Sequence, residues 1–322
     1  MRTFSYHRAA DIPSALEALT TPGTQLIAGG TEMVNWLKEG IESPGRLVDI
    51  SRLPLTEIAA DGVLRIGALA RMSDVAAHPV VESDYPVLRD SLLRAASAQL
   101  RNMATVGGNL QQRTRCPYFR SDTPVACNKR SPGSGCSAFR GDTSGQAIFG
   151  WSESCVATHP SDFAVALAAL DAVVVVQGPA GERRISATEF HRLPGDTPEV
   201  HTELASDELI IAVEIPRPAP HSHYLKVRER VSYEFAIVSV AAVVSLDGDT
   251  ITSARIALGG VAHRPWRLTA AEAALTGVSL SDRDALTEAV ALSFTDARPL
   301  ADNGYKVTLA QRAAVRALEE AR

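Results

Sequence analysis

The chain has 322 residues, of which 45% are hydrophobic and 21% are charged, and its formal net charge is −5. This is a globular composition, long enough for two or three packed domains. The acidic balance argues against nucleic acid or an anionic membrane surface as the main partner, because both favour proteins with a basic excess.

The sequence gives no reason to expect a membrane segment. The first residues lack an apolar stretch behind a basic one, and the long aliphatic runs at 162–177 and 235–246 are interrupted or too short to span a bilayer. We expect no transmembrane helix and no export signal of the chain's own. The protein is then cytoplasmic, or periplasmic by co-export with a signal-bearing partner.

Helix and strand patterns are mixed in the first part of the chain. In chain order they predict a helix at 11–19, strands at 25–28, 46–50 and 63–66, and a helix at 80–100. The mixture favours an α+β or α/β fold over an all-β sandwich.

The second part of the chain is mixed as well. The patterns predict a helix at 163–170, strands at 172–177, 207–216, 235–246 and 250–259, and helices at 269–276, 280–293 and 301–320. Asp247-Gly248-Asp249 is a turn signal between two of these strands. The proline-rich stretch 216–220 is the best candidate for a domain boundary, because proline stiffens a connection and removes backbone donors.

All four cysteines, Cys116, Cys127, Cys136 and Cys155, fall within 40 consecutive residues. The spacing leaves three interpretations open: two disulfides, a four-thiolate zinc site or a [4Fe-4S] cluster. Each interpretation has a difficulty. Disulfides need an oxidising compartment, which this chain does not indicate. Zinc sites usually use close cysteine pairs, whereas the steps here are 11, 9 and 19 residues, and these steps also miss the common ferredoxin patterns of iron–sulfur clusters.

The surroundings of the cysteines are polar and basic. Residues 111–155 are rich in Gly, Ser, Pro and Arg and lack the apolar surface for a core of their own. Residues 101–140 carry seven Lys or Arg against one acid, Asp122. This charge would stabilise a negatively charged cluster or a pyrophosphate, although a solvated basic loop is the simpler alternative.

Two glycine pairs follow apolar segments, in Gly29-Gly30-Thr31 and in 105–109. Neither matches the dinucleotide fingerprint of a Rossmann fold or a P-loop. Glycine nevertheless lets a backbone approach a phosphate, and Thr105 and Asn109 add side-chain donors. Two such turns suit a ligand with two phosphates, and His159-Pro160-Ser161-Asp162 is either a third polar element or a helix cap.

Six segments of the chain resemble the medium, FAD-binding subunits of the xanthine dehydrogenase family of molybdenum hydroxylases. They are LIAGGTEM, ATVGGNL, THPSD, DELIIAVEIP, YLKVRERVSYEFAIVSVA and ARIALGGVAHRPWR, in matching order over about residues 1–320. The insertion with TRCPYF, CNKRSPGSGC and GWSESCVATHPSD resembles the subgroup that adds a [4Fe-4S] cluster, above all the flavin subunits of periplasmic aldehyde oxidoreductases.

The resemblance implies an α+β fold with two domains. Residues 1–218 would form a two-subdomain FAD-binding domain of the PCMH type, with the iron–sulfur insertion at 111–158. Residues 221–322 would form a C-terminal domain in which a small antiparallel sheet packs with helices.

The resemblance also implies the residues that bind the cofactors. The FAD diphosphate would be wrapped by Leu26, Ile27, Ala28, Gly29, Gly30, Thr31, Glu32, Met33 and Val34, with Thr105, Gly108 and Asn109 as the second turn. Asp162 would hold ribityl or ribose hydroxyls, Ile210 would pack on the ring system, and Lys226 would approach the flavin's polar edge. The ligands of the cluster would be the four cysteines.

One departure from the family concerns the electron acceptor. Members that reduce NAD place acidic residues after the lysine, whereas this chain has Ser232-Tyr233-Glu234. Tyr233 would stack on or shield the flavin, which disfavours NAD as acceptor. Ordinary packing of Tyr233 is the alternative.

The implied function is electron transfer within a molybdenum-dependent aldehyde oxidoreductase. A large molybdenum-cofactor subunit would oxidise the substrate, and a small [2Fe-2S] subunit would pass electrons to FAD on this chain and then to an external acceptor. No acid–base pair suits substrate chemistry here, so no catalytic residue is predicted. The alternatives are a non-catalytic scaffold subunit that binds zinc and a free-standing FAD oxidase.

Overall fold

The structure is a computed structural model that describes residues 2–322. Its strands are β1 (Ser5–Arg8), β2 (Thr24–Ile27), β3 (Arg46–Asp49), β4 (Ile58–Asp61), β5 (Val63–Gly67), β6 (Val173–Gly178), β7 (Gly181–Ser186), β8 (Leu209–Ile215), β9 (Ser222–Val227), β10 (Val238–Asp247), β11 (Thr250–Gly259) and β12 (Trp266–Arg267). Its helices are α1 (Ile12–Leu19), α2 (Met33–Lys38), α3 (Met72–Ala76), α4 (Pro79–Asp84), α5 (Pro86–Arg94), α6 (Ala98–Arg101), α7 (Val106–Leu110), α8 (Asp162–Ala169), α9 (Ala187–Phe190), α10 (Thr269–Ala274), α11 (Arg283–Ala291) and α12 (Tyr305–Glu319). Short 3-10 helices lie at Ser137–Arg140 and Leu292–Phe294.

The first sheet is parallel and has the strand order β1-β3-β2. Because its strands are parallel, their carboxyl ends meet at one edge, next to the first glycine pair. Apolar residues of this sheet, including Val48 and Ile50, pack against Val175 and Ile211 of the second sheet. The first sheet is thereby held in one orientation relative to the rest of the chain.

The second sheet is antiparallel, in the order β4-β5-β8-β6-β7. Its central strands β6 and β8 are almost entirely apolar. Both faces of these strands are buried, because one faces the first sheet and the other shares a core with helices α5 and α8. Helix α8 is buried along its whole length. It lies between the second sheet and strands β10 and β11 of the third.

The third sheet is antiparallel, in the order β12-β11-β10-β9, with α12 packed against it. Strands β10 and β11 pair from Ser239 with Gly259 to Asp247 with Thr250. Gly248, with a φ of +60°, makes the tight turn between them. The predicted hairpin is therefore confirmed.

The α+β class is confirmed, and most predicted elements end within a few residues of their predicted bounds. The long helix predicted at 80–100 is wrong, because the structure has three helices there, α4, α5 and α6. Pro86 disfavours a helical conformation at Tyr85, and Ala96 has a φ of +50°, so the chain bends twice. No helix within residues 2–322 is long and apolar enough to cross a membrane.

Candidate functional site

The first glycine pair forms the turn between β2 and α2. Gly30 has a φ of +73°, a left-handed conformation that glycine adopts without steric penalty. A Cβ atom on Gly29 would lie 1.8 Å from the carbonyl oxygen of Met103. Only glycine therefore lets this turn rest on the chain that leads into the second glycine pair.

The second glycine pair lies at the start of α7. The hydroxyl of Thr105 accepts a hydrogen bond from the Gly108 N–H at 3.2 Å and so caps this short helix. The Gly107 N–H donates to the Ala68 carbonyl at 2.8 Å, and a Cβ on Gly107 would lie 3.0 Å from Ala68. The two turns thus pack closely on neighbouring backbone.

Asn109 connects the second turn to the predicted third polar element. Its Oδ1 accepts a hydrogen bond from the hydroxyl of Ser161 at 2.6 Å. The same hydroxyl accepts the Ala164 N–H at 3.0 Å and caps α8. Ser161 is therefore a helix cap, as one interpretation of this motif predicted, and also contacts the second turn.

A cavity of about 270 Å³ opens between the two turns. Four of the predicted FAD-binding residues line it, namely Ile27, Ala28, Gly29 and Thr105. The other lining residues were missed from the sequence: Tyr6, Asp49, Ser51, Thr56, Leu69, Arg71, Asp74 and Met103. The other residues predicted in these two stretches do not line the cavity: Leu26, Gly30, Thr31, Glu32, Met33, Val34, Gly108 and Asn109.

One signal in the sequence points to part of the missed wall. Asp49 and Ser51 lie at the carboxyl end of β3, and β3 runs parallel to β2. In parallel sheets, ligands bind outside the carboxyl ends of the strands. Polar residues at the end of the strand predicted at 46–50 were therefore candidates for ligand binding. The sequence did not show this, because the parallel pairing of β2 and β3 is visible only in the fold.

The cavity wall carries both signs of charge. Asp49 accepts hydrogen bonds from the Tyr6 hydroxyl at 2.5 Å and from Arg8 Nε at 3.0 Å. Burial raises the pKa of Asp49, but bonds from Tyr6, Ser51 and Arg8 outweigh burial and lower it well below 3.8. Across the cavity, Arg71 supplies a cation next to Thr105. Such a wall suits a ligand with both phosphates and hydroxyls.

Asp162 and Lys226 form a buried ion pair outside this cavity. Asp162 Oδ2 is 2.8 Å from Lys226 Nζ, and Oδ1 accepts the Tyr224 hydroxyl at 2.6 Å. Burial raises the pKa of Asp162, and Lys226 and Tyr224 offset part of that rise. Lys226 also donates to the Arg94 carbonyl at 3.1 Å. Both predicted residues thus have protein partners already.

Ile210 and Tyr233 differ in their surroundings. Ile210 is 4% exposed, in the core around the second sheet. Tyr233 is 56% exposed, has a φ of +54°, and contacts the guanidinium of Arg230, 5.6 Å from its ring centroid. Tyr233 therefore lies on the surface against Arg230 and is not part of the core.

The four cysteines, which span 40 residues of sequence, act on one another electrostatically in the fold. Cys127 and Cys136 are partners in an antiparallel bridge, and all four are free thiols. Burial raises the pKa of Cys155 to about 12, and Cys136 and Cys116 contribute to the rise. Burial likewise raises the pKa of the Cys116 and Cys127 thiols, and nearby backbone N–H groups offset part of the rise at Cys116, Cys127 and Cys155. The amide of Gln146 donates to the Cys116 sulfur at 3.7 Å.

The four cysteines are not grouped around a single metal ion. Among residues 2–322, no group of three or more His, Cys, Asp or Glu side chains is arranged to hold one metal ion. A zinc site would need each sulfur at about 2.3 Å from the same ion. The arrangement of the thiols is therefore not that of a single-ion zinc site.

We refer to residues 111–158 as the cysteine segment, and Glu32 binds one side of it. Glu32 pairs with Arg115 at 2.7 Å and with Arg120 at 2.6 Å, and accepts the Trp36 indole N–H at 2.8 Å. Arg120 also pairs with Glu39 at 2.8 Å. The Glu32 side chain, expected beside the diphosphate, is instead directed towards the cysteine segment.

Helix α12 binds the other side of the segment. Lys306 is buried, and its ammonium donates to the carbonyls of Gly145, Gln146 and Gly260 at 2.9–3.0 Å. Asn303 adds a bond to the Gln146 carbonyl at 3.1 Å. The segment therefore contacts both the first glycine turn and the C-terminal part of the chain. These contacts hold it in place.

Replacing Glu32 by glutamine should lower the free energy of unfolding by about 3 kcal/mol, because two largely buried arginines lose their charge partner. Arg115 and Arg120 outweigh burial and lower the pKa of Glu32 below 4.5. The stabilisation is thus present above pH 4.5, the pKa of Glu32 in the unfolded chain. It is lost as the pH falls through the pKa of Glu32 in the folded chain, which lies below 4.5. Urea denaturation at pH 7 and at pH 3.5 measures both effects.

The matched control is Glu153→Gln, which removes an exposed carboxylate from the same segment. It should change the free energy of unfolding by less than about 0.5 kcal/mol. Equal effects of the two variants would show that the Glu32 ion pairs do not hold the segment.

A cluster of four histidines lies beneath the second turn, with His191 and His263 buried and His159 and His201 partly buried. His159 was named from the sequence as part of a polar element, and the other three were missed. His159 and His191 have ring centroids 3.9 Å apart, and His201 and His263 lie with them around a cavity of about 20 Å³, the size of one water. Burial lowers the pKa of His191 to about 4, and its Nε2 is 2.9 Å from the Leu110 carbonyl. At neutral pH this ring is uncharged and supports α7.

Comparison with known proteins covers almost the whole chain. Residues 2–218 match the family model described as FAD binding domain in molybdopterin dehydrogenase, and residues 223–321 match the CO dehydrogenase flavoprotein C-terminal domain. The aldehyde oxidoreductase FAD-binding subunit PaoB of Escherichia coli (strain K12) is 49% identical over 327 residues, which is 100% of this chain and 99% of the relative.

More distant relatives share the fold over the same length. The carbon monoxide dehydrogenase medium chain of Afipia carboxidovorans is 26% identical over 99% of this chain and 97% of its own. The reconstituted CO dehydrogenase from Oligotropha carboxidovorans has a TM-score of 0.77 at 25% identity, over 99% of this chain and 98% of that chain. The chain therefore belongs to the FAD-binding medium subunits of the molybdenum hydroxylase family.

Proposed function

We propose that this chain is the FAD-carrying electron-transfer subunit of a molybdenum-dependent aldehyde oxidoreductase. The observation that carries the proposal is the cavity between the two glycine turns, in a chain that matches an aldehyde oxidoreductase FAD-binding subunit over its full length. FAD, when bound, supplies a group that accepts electrons and delivers them one or two at a time. The protein holds, orients and shields it.

The cavity residues divide the binding of the FAD diphosphate and sugar among them. Backbone N–H groups of the first glycine turn would face the phosphates, since those of the second turn are bonded within the protein. Arg71 would neutralise phosphate charge, and Asp49 and Ser51 would accept from and donate to hydroxyls. About 270 Å³ is less than a typical ligand pocket of about 300–1,000 Å³. Only part of FAD fits inside, and the remainder lies against the neighbouring surface.

We place the flavin end of the cofactor near Asp162, Lys226, Ile210 and Tyr233. The support is chain continuity, since Asp162 follows Ser161, which is bonded to Asn109 of the second turn. Lys226 holds the Asp162 carboxylate at 2.8 Å, so the pair orients hydrogen-bonding groups beside the second turn. Tyr233, which is half exposed, covers the flavin and disfavours NAD as the acceptor.

We also propose that Cys116, Cys127, Cys136 and Cys155 bind a [4Fe-4S] cluster. In such a cluster each iron takes a separate thiolate, so the sulfurs lie farther apart than around a single ion. Backbone N–H groups near three of the sulfurs lower the pKa of these thiols, against the effect of burial, and would stabilise thiolate charge there. The cluster orders the insertion 111–158. The domain division proposed with it is an FAD-binding domain of residues 1–218, which contains the insertion, and a C-terminal domain of residues 221–322.

The partners follow from the same proposal. A large subunit carries the molybdenum cofactor, a small subunit carries [2Fe-2S] centres, and an external acceptor takes the electrons from FAD. The chain reaches the periplasm by co-export with a signal-bearing partner, or it works in the cytoplasm. Copurification of a tagged chain with two untagged partners tests the assembly, and recovery of the chain alone contradicts it.

Cofactor analysis of the anaerobically purified chain tests the proposed FAD and the proposed [4Fe-4S] cluster. We expect one FAD and four irons per chain, with flavin absorption bands that bleach on reduction. A chain without flavin contradicts the main proposal and supports a scaffold role. One zinc and no iron contradicts the cluster alone, and a chain that oxidises aldehydes without partners supports a free-standing oxidase.

Replacing Arg71 by glutamine should weaken FAD binding about 10-fold to 150-fold, because one charge-assisted hydrogen bond contributes about 1.5–3 kcal/mol. Dissociation constants come from flavin fluorescence as the apoprotein is titrated with FAD. Arg312→Gln, on the exposed face of α12, is the control and should leave affinity unchanged. Equal affinity in the two variants would remove Arg71 from the site.

A further inference from the structure

The loop from Cys127 to Cys136 places these two thiols opposite each other. The Ser137 N–H donates to the Ala126 carbonyl at 2.9 Å, so Cys127 and Cys136 are a non-hydrogen-bonded antiparallel pair. In such a pair the Cα atoms lie about 4.5 Å apart, with both side chains on the same face. A disulfide needs a Cα separation of about 4.4–6.8 Å. The backbone already has that spacing.

The shape of this loop does not depend on the other two cysteines. The Ser131 N–H donates to the Cys127 carbonyl at 2.9 Å, and the Cys127 N–H donates to the Ser134 hydroxyl at 3.0 Å. Gly133 and Gly135 have φ angles of +84° and +96°, which glycine adopts without steric penalty. Local bonds and two glycines therefore hold the pair together.

We propose that Cys127 and Cys136 form a disulfide when the chain carries no cluster, and that this bond blocks cluster assembly until a thiol reduces it. Cys116 and Cys155 stay reduced. Closing the loop of 9 residues is also about 3-fold more favourable than closing the loop of 19 residues to Cys155, by the scaling of loop entropy. Only the block on assembly rests on the proposed cluster, because the disulfide follows from the loop.

The reaction needs a disulfide oxidant, such as oxidised glutathione. The thiolate of one cysteine attacks a glutathione sulfur, forms a mixed disulfide and releases one reduced glutathione. The thiolate of the second cysteine then attacks the protein sulfur of that mixed disulfide and releases the second glutathione. The two cysteines lose two electrons and two protons, which the two glutathione molecules carry away.

Peptide mapping of the full chain, in complex with its partners, tests the proposal. Iron is removed anaerobically with a chelator, its loss is checked by iron analysis, and oxidised glutathione is added before N-ethylmaleimide and trypsin. Trypsin cleaves after Lys129 and Arg130, so the bond links peptides 121–129 and 131–140. We expect this linked pair, with alkylated Cys116 and Cys155, and at least 10-fold less of it in the iron-loaded sample.

Serine variants make the assignment specific. Cys136→Ser should remove the link, whereas Cys116→Ser and Cys155→Ser should keep it. A dominant link to Cys116 or Cys155, or no link in iron-free chain, overturns the disulfide. If the chain as purified holds no iron and the link still forms, the cluster proposal fails and the disulfide stands.

Iron uptake tests the second half of the proposal. The oxidised chain is incubated with ferrous iron and sulfide, with and without prior treatment by dithiothreitol and its removal. We expect at least 10-fold more iron after reduction. Equal uptake in the two samples overturns the block on cluster assembly.

Discussion

Replacing Cys127 by serine should abolish the iron content of the chain and expose the cysteine segment to proteases. Metal binding contributes directly to folding where a segment has no core of its own. Polar contacts of Glu32 and Lys306 hold parts of residues 111–158, and Ile148 and Phe149 anchor its C-terminal part in the core of the third sheet, so the part around Cys127 depends most on the cluster. Iron analysis and limited trypsin digestion measure the two effects. Lys129, which donates to the Pro198 carbonyl at 2.7 Å, should become a cleavage site.

FAD should also be retained less well in this variant. The cysteine segment follows α7 of the second turn and precedes Asp162, so a loosened segment frees both ends of the flavin-binding region. Ser131→Ala, an exposed position in the same loop, is the control and should keep iron, FAD and protease resistance. If Cys127→Ser keeps its FAD and its resistance to trypsin, the cluster has no ordering role.

Replacing Gly29 by alanine should reduce FAD affinity at least about 10-fold, which is about 1.4 kcal/mol. The new Cβ would lie 1.8 Å from the Met103 carbonyl oxygen and 2.7 Å from its carbon. Both are backbone atoms and cannot rotate away. The two turns must separate, which changes the cavity they form. Flavin content after gel filtration and an FAD titration measure the change.

Gly45→Ala is the matched control for this prediction. Gly45 has no heavy atom within 4 Å of an added Cβ and no positive φ, so alanine there should keep full flavin content. We also expect Gly29→Ala to lower the free energy of unfolding by about 1–3 kcal/mol, as overpacked sites do. Full flavin content in Gly29→Ala would contradict a role of the packed turns in binding.

The sequence was sufficient for features that depend on local backbone and on burial patterns. The turn at Gly248 and the apolar strand β8 follow from residue type and alternation over a few positions. The glycine pair at Gly29 and Gly30 indicated a turn after an apolar strand, and the structure has that turn, with a φ of +73° at Gly30. The break at Pro86 was missed although proline signals it, because the apolar pattern continues across it.

The tertiary structure decided which side chains meet, since that depends on residues far apart in the chain. Asp49 and Arg71 join the cavity only because β2 and β3 pair in parallel and the chain around Ala70 pairs with that around Thr105. Glu32 lies in a motif assigned to the diphosphate, yet two arginines more than 80 positions later take its carboxylate. Spacing left disulfides, zinc and a cluster open for the cysteines. The positions of the thiols depend on how the segment packs between α2 and α12, and in the fold they are not grouped around one ion.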